Sequence, residues 1–273
     1  MTDLNGKVAW ITGASSGIGE ALAKAFVARG GACVLSGRNV AELERVAEEC
    51  GPKNCLILPF DTLDFGALIV MVERAVAFGG HIDVLVNNAG ISQRSLAVDT
   101  DFAVYDRIID VDLLAPIALT QALLPHFVAR QAGQLIMMSS VAGKAGIPMR
   151  TAYCAAKHGL IGYADALRAE MAGQGLKVLV VAPGSVRTNV SRNALSGGGA
   201  PRGESDAAIE NGIDPADVAQ QIWDAAAAGT RELVIARGIE ANIPALRASD
   251  PEKLFDMMEA MVAAGYAQKM ATE

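Results

Sequence analysis

Aromatic residues are scarce, at 5% of the chain, although 52% of residues are hydrophobic. The core therefore has to be built from Ala, Val, Leu, Ile and Gly, which suits a parallel sheet covered by helices. Basic residues are in deficit: 23 Lys and Arg against 30 Asp and Glu give a net charge of −7. That balance disfavours DNA, RNA and anionic lipid as partners. Cysteine is limited to Cys33, Cys50, Cys55 and Cys154, without a repeated ligand spacing. No metal site is expected, and the thiols suit a reduced, cytoplasmic protein. The N-terminal stretch MTDLNGKVAWITG lacks the long apolar core of a signal peptide. No window of about 20 apolar residues is free of charge, so no membrane partner is expected.

What is present is alternation. Short β-branched runs at 8–13, 33–38, 55–61, 84–90, 135–140, 177–184 and 232–236 alternate with Ala-rich runs of helical period. The latter lie near 17–29, 40–50, 63–78, 101–130, 151–172 and 215–228. Strand followed by helix, repeated, predicts right-handed βαβ units in one doubly wound parallel sheet. The 273 residues suit a single domain, 1–273, with no boundary inside it. Asp214-Pro215 and Asp250-Pro251 read as helix starts, with Asp as N-cap and Pro at the first helical position. Residues 250–270 form an amphipathic helical extension that either covers the substrate cleft or closes the fold. The stretch SGGGAPRGES at 196–205 reads as flexible, within a substrate loop at 185–212 or as a plain linker.

The segment VAWITGASSGIGEALAKAFVARG is a buried strand, a glycine turn and a helix. Gly13, Gly17 and Gly19 let the backbone turn tightly and approach a pyrophosphate, which then meets free N–H groups and the positive end of the helix dipole. The spacing is a variant of the dinucleotide fingerprint. The same letters, Gly13-Ala14-Ser15-Ser16-Gly17, also match the nucleophile elbow of serine hydrolases. That alternative requires a later acid and then a histidine, and only His81, His126 and His158 exist. No Gly-Lys-Ser/Thr follows the glycines, which excludes a P-loop. A cofactor with a free 2′-hydroxyl usually meets a carboxylate about 20 residues beyond the glycine loop. Here that neighbourhood is Ser36-Gly37-Arg38, and Arg38 suits a 2′-phosphate, so NADP(H) is favoured over NAD(H).

Two serines, Ser139 and Ser140, end a strand, and Tyr153 then precedes Lys157 by one helical turn. Positions i and i+4 share a helix face, so phenol and ammonium converge. A nearby cation favours the phenolate and tunes the phenol for acid–base work. In this order the chain resembles the short-chain dehydrogenase/reductase family. The resemblance rests on TGASSGIG at 12–19, Asp61, NNAG at 87–90, Ser140, YCAAK at 153–157 and PGSVRT at 183–188. It implies a Rossmann-like sheet of about seven strands in the order 3-2-1-4-5-6-7. It implies hydride transfer between a nicotinamide and a carbonyl or secondary alcohol. Ser140 is then expected to polarise the carbonyl, Tyr153 to exchange the proton, and Lys157 to hold the ribose and tune Tyr153. Gly13, Ser15, Ser16, Gly17, Ile18, Gly19, Arg38, Asp61, Asn88, Ala89, Gly90, Pro183, Gly184, Val186 and Thr188 are expected to line the cofactor with Tyr153 and Lys157.

The expected substrate pocket draws on Ile91, Leu96, Ala145, Ile147, Met149, Val190 and Leu195, with Gln93, Arg94 and Arg150 as polar guides. Such a pocket suits a lipophilic ketone, aldehyde or alcohol. Apolar residues on more than one side of 101–130 and 151–172 suggest burial by another subunit, as a homodimer or homotetramer. The competing class is a non-catalytic, regulatory dinucleotide-binding protein on the same fold, against which the intact Ser140, Tyr153 and Lys157 argue. One feature departs from the family pattern. Asp110 and Asp112 interrupt an apolar run, and Asp112, in VDL, stands where the family carries an asparagine. The resemblance implies that this position's main-chain carbonyl holds a water linked to the lysine. Asp112 is expected to be a variant member of the site, or else to bond nearby backbone, with Asp110 on the solvent or capping side.

Overall fold

The computed structural model describes residues 4–267. Its strands are β1 (Val8–Thr12), β2 (Ala32–Ser36), β3 (Cys55–Ile57), β4 (Val84–Asn87), β5 (Gly133–Met138), β6 (Leu176–Pro183) and β7 (Glu232–Ile235). The helices are α1 (Gly17–Val27), α2 (Val40–Cys50), α3 (Leu68–Gly79), α4 (Phe102–Ile109), α5 (Ala115–Arg130), α6 (Thr151–Glu170), α7 (Ala207–Glu210), α8 (Pro215–Ala227), α9 (Gly238–Ser249) and α10 (Pro251–Ala263). The seven strands form one parallel sheet in the order β3-β2-β1-β4-β5-β6-β7. This is the expected doubly wound, Rossmann-like arrangement. The chain reverses direction across the sheet between β1 and β4, and ligands of such sheets bind beyond the strand C-termini at that crevice.

Two apolar layers sandwich the sheet. Every residue of β1 is buried, because a central parallel strand is covered on both faces. On one face Phe26 of α1 meets Trp223 of α8 with ring centroids 4.6 Å apart. On the other, Trp10 packs with Leu119, Leu123, Phe127 and Leu160. The few buried aromatics with a polar atom satisfy it: Trp10 Nε1 donates to Ser36 Oγ and Trp223 Nε1 to the Leu22 carbonyl. The Asp-Pro starts are as expected. Asp214 caps α8 through the Ala216 N–H, and Asp250 caps α10 through the Lys253 N–H.

Several boundaries differ from expectation. The third strand is only Cys55–Ile57, so Asp61 lies beyond its end rather than at it. The helix expected over 101–130 is interrupted: residues Asp110–Leu114 form a π turn between α4 and α5. Pro116 has no N–H to give the Asp112 carbonyl four residues back. The Ala115 N–H instead bonds the Asp110 carbonyl, five residues back. Phe102–Arg130 also contains an 18-residue window, of mean hydropathy 1.5, that matches a bilayer span by length and composition. In this fold its Leu119, Leu123 and Phe127 are core residues. The stretch 196–205 is a series of hydrogen-bonded turns rather than a loose linker. Ser196 bonds Ala200, Arg202 bonds Ala194, and Gly203 bonds Arg192 through the backbone. Helix α9 was not expected. It and α10 place Ile243 and Leu254 against Val141 and Ala145. Residues 268–270 of the expected extension lie outside the described residues.

Candidate active site

A cavity of about 680 Å³ opens at the C-terminal ends of β1, β4, β5 and β6. Its floor is the turn between β1 and α1. Gly13 and Gly17 adopt φ of 65° and 57°, a region that disfavours side chains. A Cβ on Gly13 would sit 2.9 Å from Asn88 Nδ2, and one on Gly17 would sit 3.0 Å from Thr188 Cγ2. Ser16, the N-cap of α1, makes no side-chain cap bond, which leaves the first-turn N–H groups facing the cavity with Ser15, Ser16, Gly17 and Ile18. This cradle fits the diphosphate of a dinucleotide. Gly19 does not line the cavity. It packs against the turn, where a Cβ would lie 2.2 Å from the Gly13 carbonyl oxygen. Gly19→Ala is therefore expected to lower Tm and dinucleotide affinity together, as thermal melts with and without ligand would show.

The NNAG motif holds this cradle, and its Asn88, Ala89 and Gly90 also line the cavity. Thr12 Oγ1 accepts the N–H groups of Asn88 and Ala89 and donates to the Val86 carbonyl. Asn88 Nδ2 donates back to the carbonyls of Thr12 and Gly13. Asn87 is buried and bonds Thr120. Arg38 lines the cavity, exposed, with only a 4.0 Å contact to Asp61. Asp61 itself is outside the lining and accepts the Leu63 N–H.

The reactive groups gather on one wall. Tyr153 and Lys157 project from α6, with Lys157 Nζ 5.5 Å from the Tyr153 ring centroid. Ser140 lies two residues beyond the end of β5, where its Oγ donates to the Pro183 carbonyl and accepts the Ala142 N–H. Pro183, Gly184, Val186, Thr188, Ala89 and Gly90 also line the cavity. Ser139 instead bonds the Lys157 carbonyl, and Cys154 is buried, which pushes its thiol up.

Asp112 is fully buried in the π turn. Its Oδ2 lies 3.1 Å from Lys157 Nζ, and its Oδ1 accepts the Ile91 N–H at 2.8 Å. Lys157 Nζ also donates to the Met138 carbonyl at 3.0 Å. Burial opposes the charge on Lys157, but Asp112, aided by Tyr153, outweighs it and holds the ammonium above its ordinary value. Burial pushes the Asp112 carboxyl up, partly offset by Lys157 and the Ile91 N–H. Asp112 is among the residues lining the cavity, and it also bonds backbone. Asp110 is half-buried and takes no part in this cluster.

All three expected polar guides, Gln93, Arg94 and Arg150, are elsewhere. Gln93 is fully buried, bonding Ser95, Thr100 and the Ala152 N–H. Arg94 is buried and grips Asp206 with two nitrogens, each at 2.7 Å, while Arg150 lies 3.6 Å from the same carboxylate and Arg202 binds its other oxygen. These groups pin residues 191–206 to 92–95 and do not face the cavity. Leu96, Ala145, Ile147 and Met149 are also outside its lining, whereas Ile91, Val190 and Leu195 belong to it. Arg107, Phe60 and Ile209 line the cavity without having been expected to. They come from separate elements, and no local motif marks them. None of the histidines lines the cavity with Ser15: His81 pairs with Asp83, His126 accepts the Ile82 N–H, and His158 bonds the Cys154 carbonyl. The glycine turn is therefore not a hydrolase elbow.

A glycine cradle at the switch point of a doubly wound sheet, beside a Ser, Tyr and Lys, defines a class: dinucleotide-dependent oxidoreductases. The family model for short chain dehydrogenases matches residues 7–197. A dehydrogenase/reductase SDR family protein 7-like of Anopheles gambiae is 42% identical over 240 residues, which are 85% of this chain and 76% of that protein. A metagenomic short-chain oxidoreductase, solved in complex with NADP, superposes with a TM-score of 0.70 at 30% identity over 86% of this chain and 98% of that one. A short chain dehydrogenase/reductase of Burkholderia phymatum, solved in complex with NAD, shares the fold with a TM-score of 0.80 at 22% identity over 93% of this chain and 97% of that one. The chain belongs to the short-chain dehydrogenase/reductase family, and its activity is NAD(P)-dependent interconversion of CH–OH and C=O.

Proposed function

We propose that this enzyme is an NADP(H)-dependent carbonyl reductase or alcohol dehydrogenase acting on a lipophilic ketone, aldehyde or secondary alcohol. The observation that carries the reading is the convergence of Ser140, Tyr153 and Lys157 on the cavity that also holds the glycine turn. When bound, the nicotinamide supplies or accepts the hydride. The chain does the rest. The first turn of α1 binds the diphosphate, and Lys157 binds ribose hydroxyls. The Ser140 hydroxyl orients the substrate oxygen, and the Tyr153 phenol gives that oxygen its proton in reduction and takes it in oxidation. Ile91, Val190, Leu195, Pro201 and Ile209 provide apolar walls for the substrate. A panel of carbonyls and alcohols, followed by NADPH absorbance, tests the reading. Cofactor binding without turnover of any member would support the non-catalytic alternative instead.

The NADP(H) preference is supported by Arg38, an exposed residue of the cavity lining whose guanidinium has a loose 4.0 Å contact with Asp61. Arg38→Ala is expected to raise the KM for NADPH about 10–100-fold, the worth of charge-assisted hydrogen bonds, and to leave that for NADH nearly unchanged. Equal or better kcat/KM with NADH in the unmodified enzyme would refute the preference. Association as a homodimer or homotetramer is supported by Phe102 and Leu114, exposed on the α4–α5 run. Light scattering would measure it. A cytoplasmic setting is supported by four cysteines that are all free thiols.

A further inference from the structure

Asp112 makes the environment of Lys157 unusual. An ammonium beside a phenol ordinarily acts as an uncompensated positive charge and favours the phenolate. Here a carboxylate oxygen lies 3.1 Å from the same nitrogen, and both side chains are withdrawn from solvent. The pair sits in a fitted niche. A Cβ on Gly90 would lie 3.2 Å from Asp112 Oδ2 and 3.4 Å from Lys157 Nζ, so glycine leaves room for it. The π turn swings the carboxylate inward, and the Ile91 N–H fixes it. The charged and titratable groups facing the pair are few. Tyr153 comes from α6, and Arg107 comes from α4 across the same cavity. From β5 and the residues after it come the neutral Met138 carbonyl and the Ser139 and Ser140 hydroxyls.

We infer that Asp112 is a positioning residue: it fixes Lys157 and cancels most of its charge at the Tyr153 phenol, so that the protonated phenol, the form that reduces a carbonyl, persists to higher pH. The elevated ionisation of Lys157 agrees, because its main favourable contribution comes from Asp112. The inference rests on the assignment of Tyr153 as the proton donor. It widens the pH range of reduction, and alcohol oxidation reaches its plateau only at more alkaline pH. No proton or electron is transferred by Asp112 itself. It acts through Lys157.

The test uses the full-length protein without added cofactor. The ultraviolet phenolate band is titrated in the wild type, Asp112→Asn and Asp112→Ser, each with and without Tyr153→Phe, so that the difference isolates Tyr153. Removing the carboxylate is expected to lower the pH at which the Tyr153 phenolate forms by about one unit in both variants. The alkaline limb of carbonyl reduction should move down with it. Asp112→Asn keeps an oxygen at the reach of Oδ1 for the Ile91 N–H, whereas the hydroxyl of Asp112→Ser is one bond shorter, so agreement between them assigns the shift to the lost charge. Titration curves that superimpose across wild type and both variants would overturn the inference. A shifted titration in a protein that turns over no carbonyl would uphold the role of Asp112 and reject the reductase assignment.

Discussion

Tyr153→Phe is expected to lower kcat/KM for carbonyl reduction by about 10²–10⁴-fold, the usual worth of a positioned general acid. Dinucleotide affinity and Tm should be unchanged. The variant keeps the ring, which packs with Val104, Ala152 and Ile108, and removes only the hydroxyl. Lys157 gives a contrasting result. Lys157→Ala should lose activity comparably, yet it also strips a fully buried carboxylate of its ammonium partner. Breaking such a buried pair costs about 3–5 kcal/mol, so this variant should melt early as well as fail to turn over. Steady-state kinetics, ligand titration and thermal melts on the two variants separate chemistry from folding. A Tyr153→Phe enzyme with near-normal turnover would overturn the assigned acid.

Asp206→Asn is expected to be among the most destabilising conservative changes in the chain. Asp206 and Arg94 are buried together, and the carboxylate gathers Arg94 and Arg202 with Arg150 nearby. Burial and the charge of Arg150 press the Arg94 ionisation down to about 10, opposed by Asp206. Without the carboxylate, three guanidinium groups face one another with no anion between them. The expected loss is about 3–5 kcal/mol, or roughly 10 °C in Tm for a chain of this size. The pH dependence has a definite sign. Burial alone would raise the Asp206 carboxyl, but Arg94 and Arg202 prevail and hold it below its ordinary value of 3.8. Its stabilisation is therefore fully present above that value and lost as pH falls through the lower folded one. Thermal melts of wild type should show this loss at acid pH, and Asp206→Asn should lack it. Because Asp206 anchors 191–206, which carries Leu195 and Pro201 of the cavity wall, substrate KM should rise as well.

The strand–helix alternation, the glycine turn and the Tyr153/Lys157 pair were legible because each is a local pattern. Strand and helix periods differ, a tight turn demands glycine at fixed positions, and a helix brings i and i+4 together whatever surrounds it. Gln93 and Arg94 misled for the opposite reason. A polar residue in a loop has the same letters whether it faces a ligand or a buried carboxylate 112 positions away. Thr12 opens the TGASSGIG motif, but its work, tying the end of β4 to the glycine turn, depends on strands that are adjacent only in the sheet.

By itself the sequence determined the class of fold, the dinucleotide cradle and the acid–base pair, since these follow from backbone geometry over short spans. Only the tertiary structure decided what Asp112 does. In the chain it is a carboxylate interrupting an apolar run, and its partner stands 45 residues later. A π turn, a proline with no N–H to give and a glycine with no Cβ bring it to 3.1 Å from Lys157. A buried charge is tolerated only beside an opposite one, and which one it meets is a property of packing, not of sequence neighbourhood.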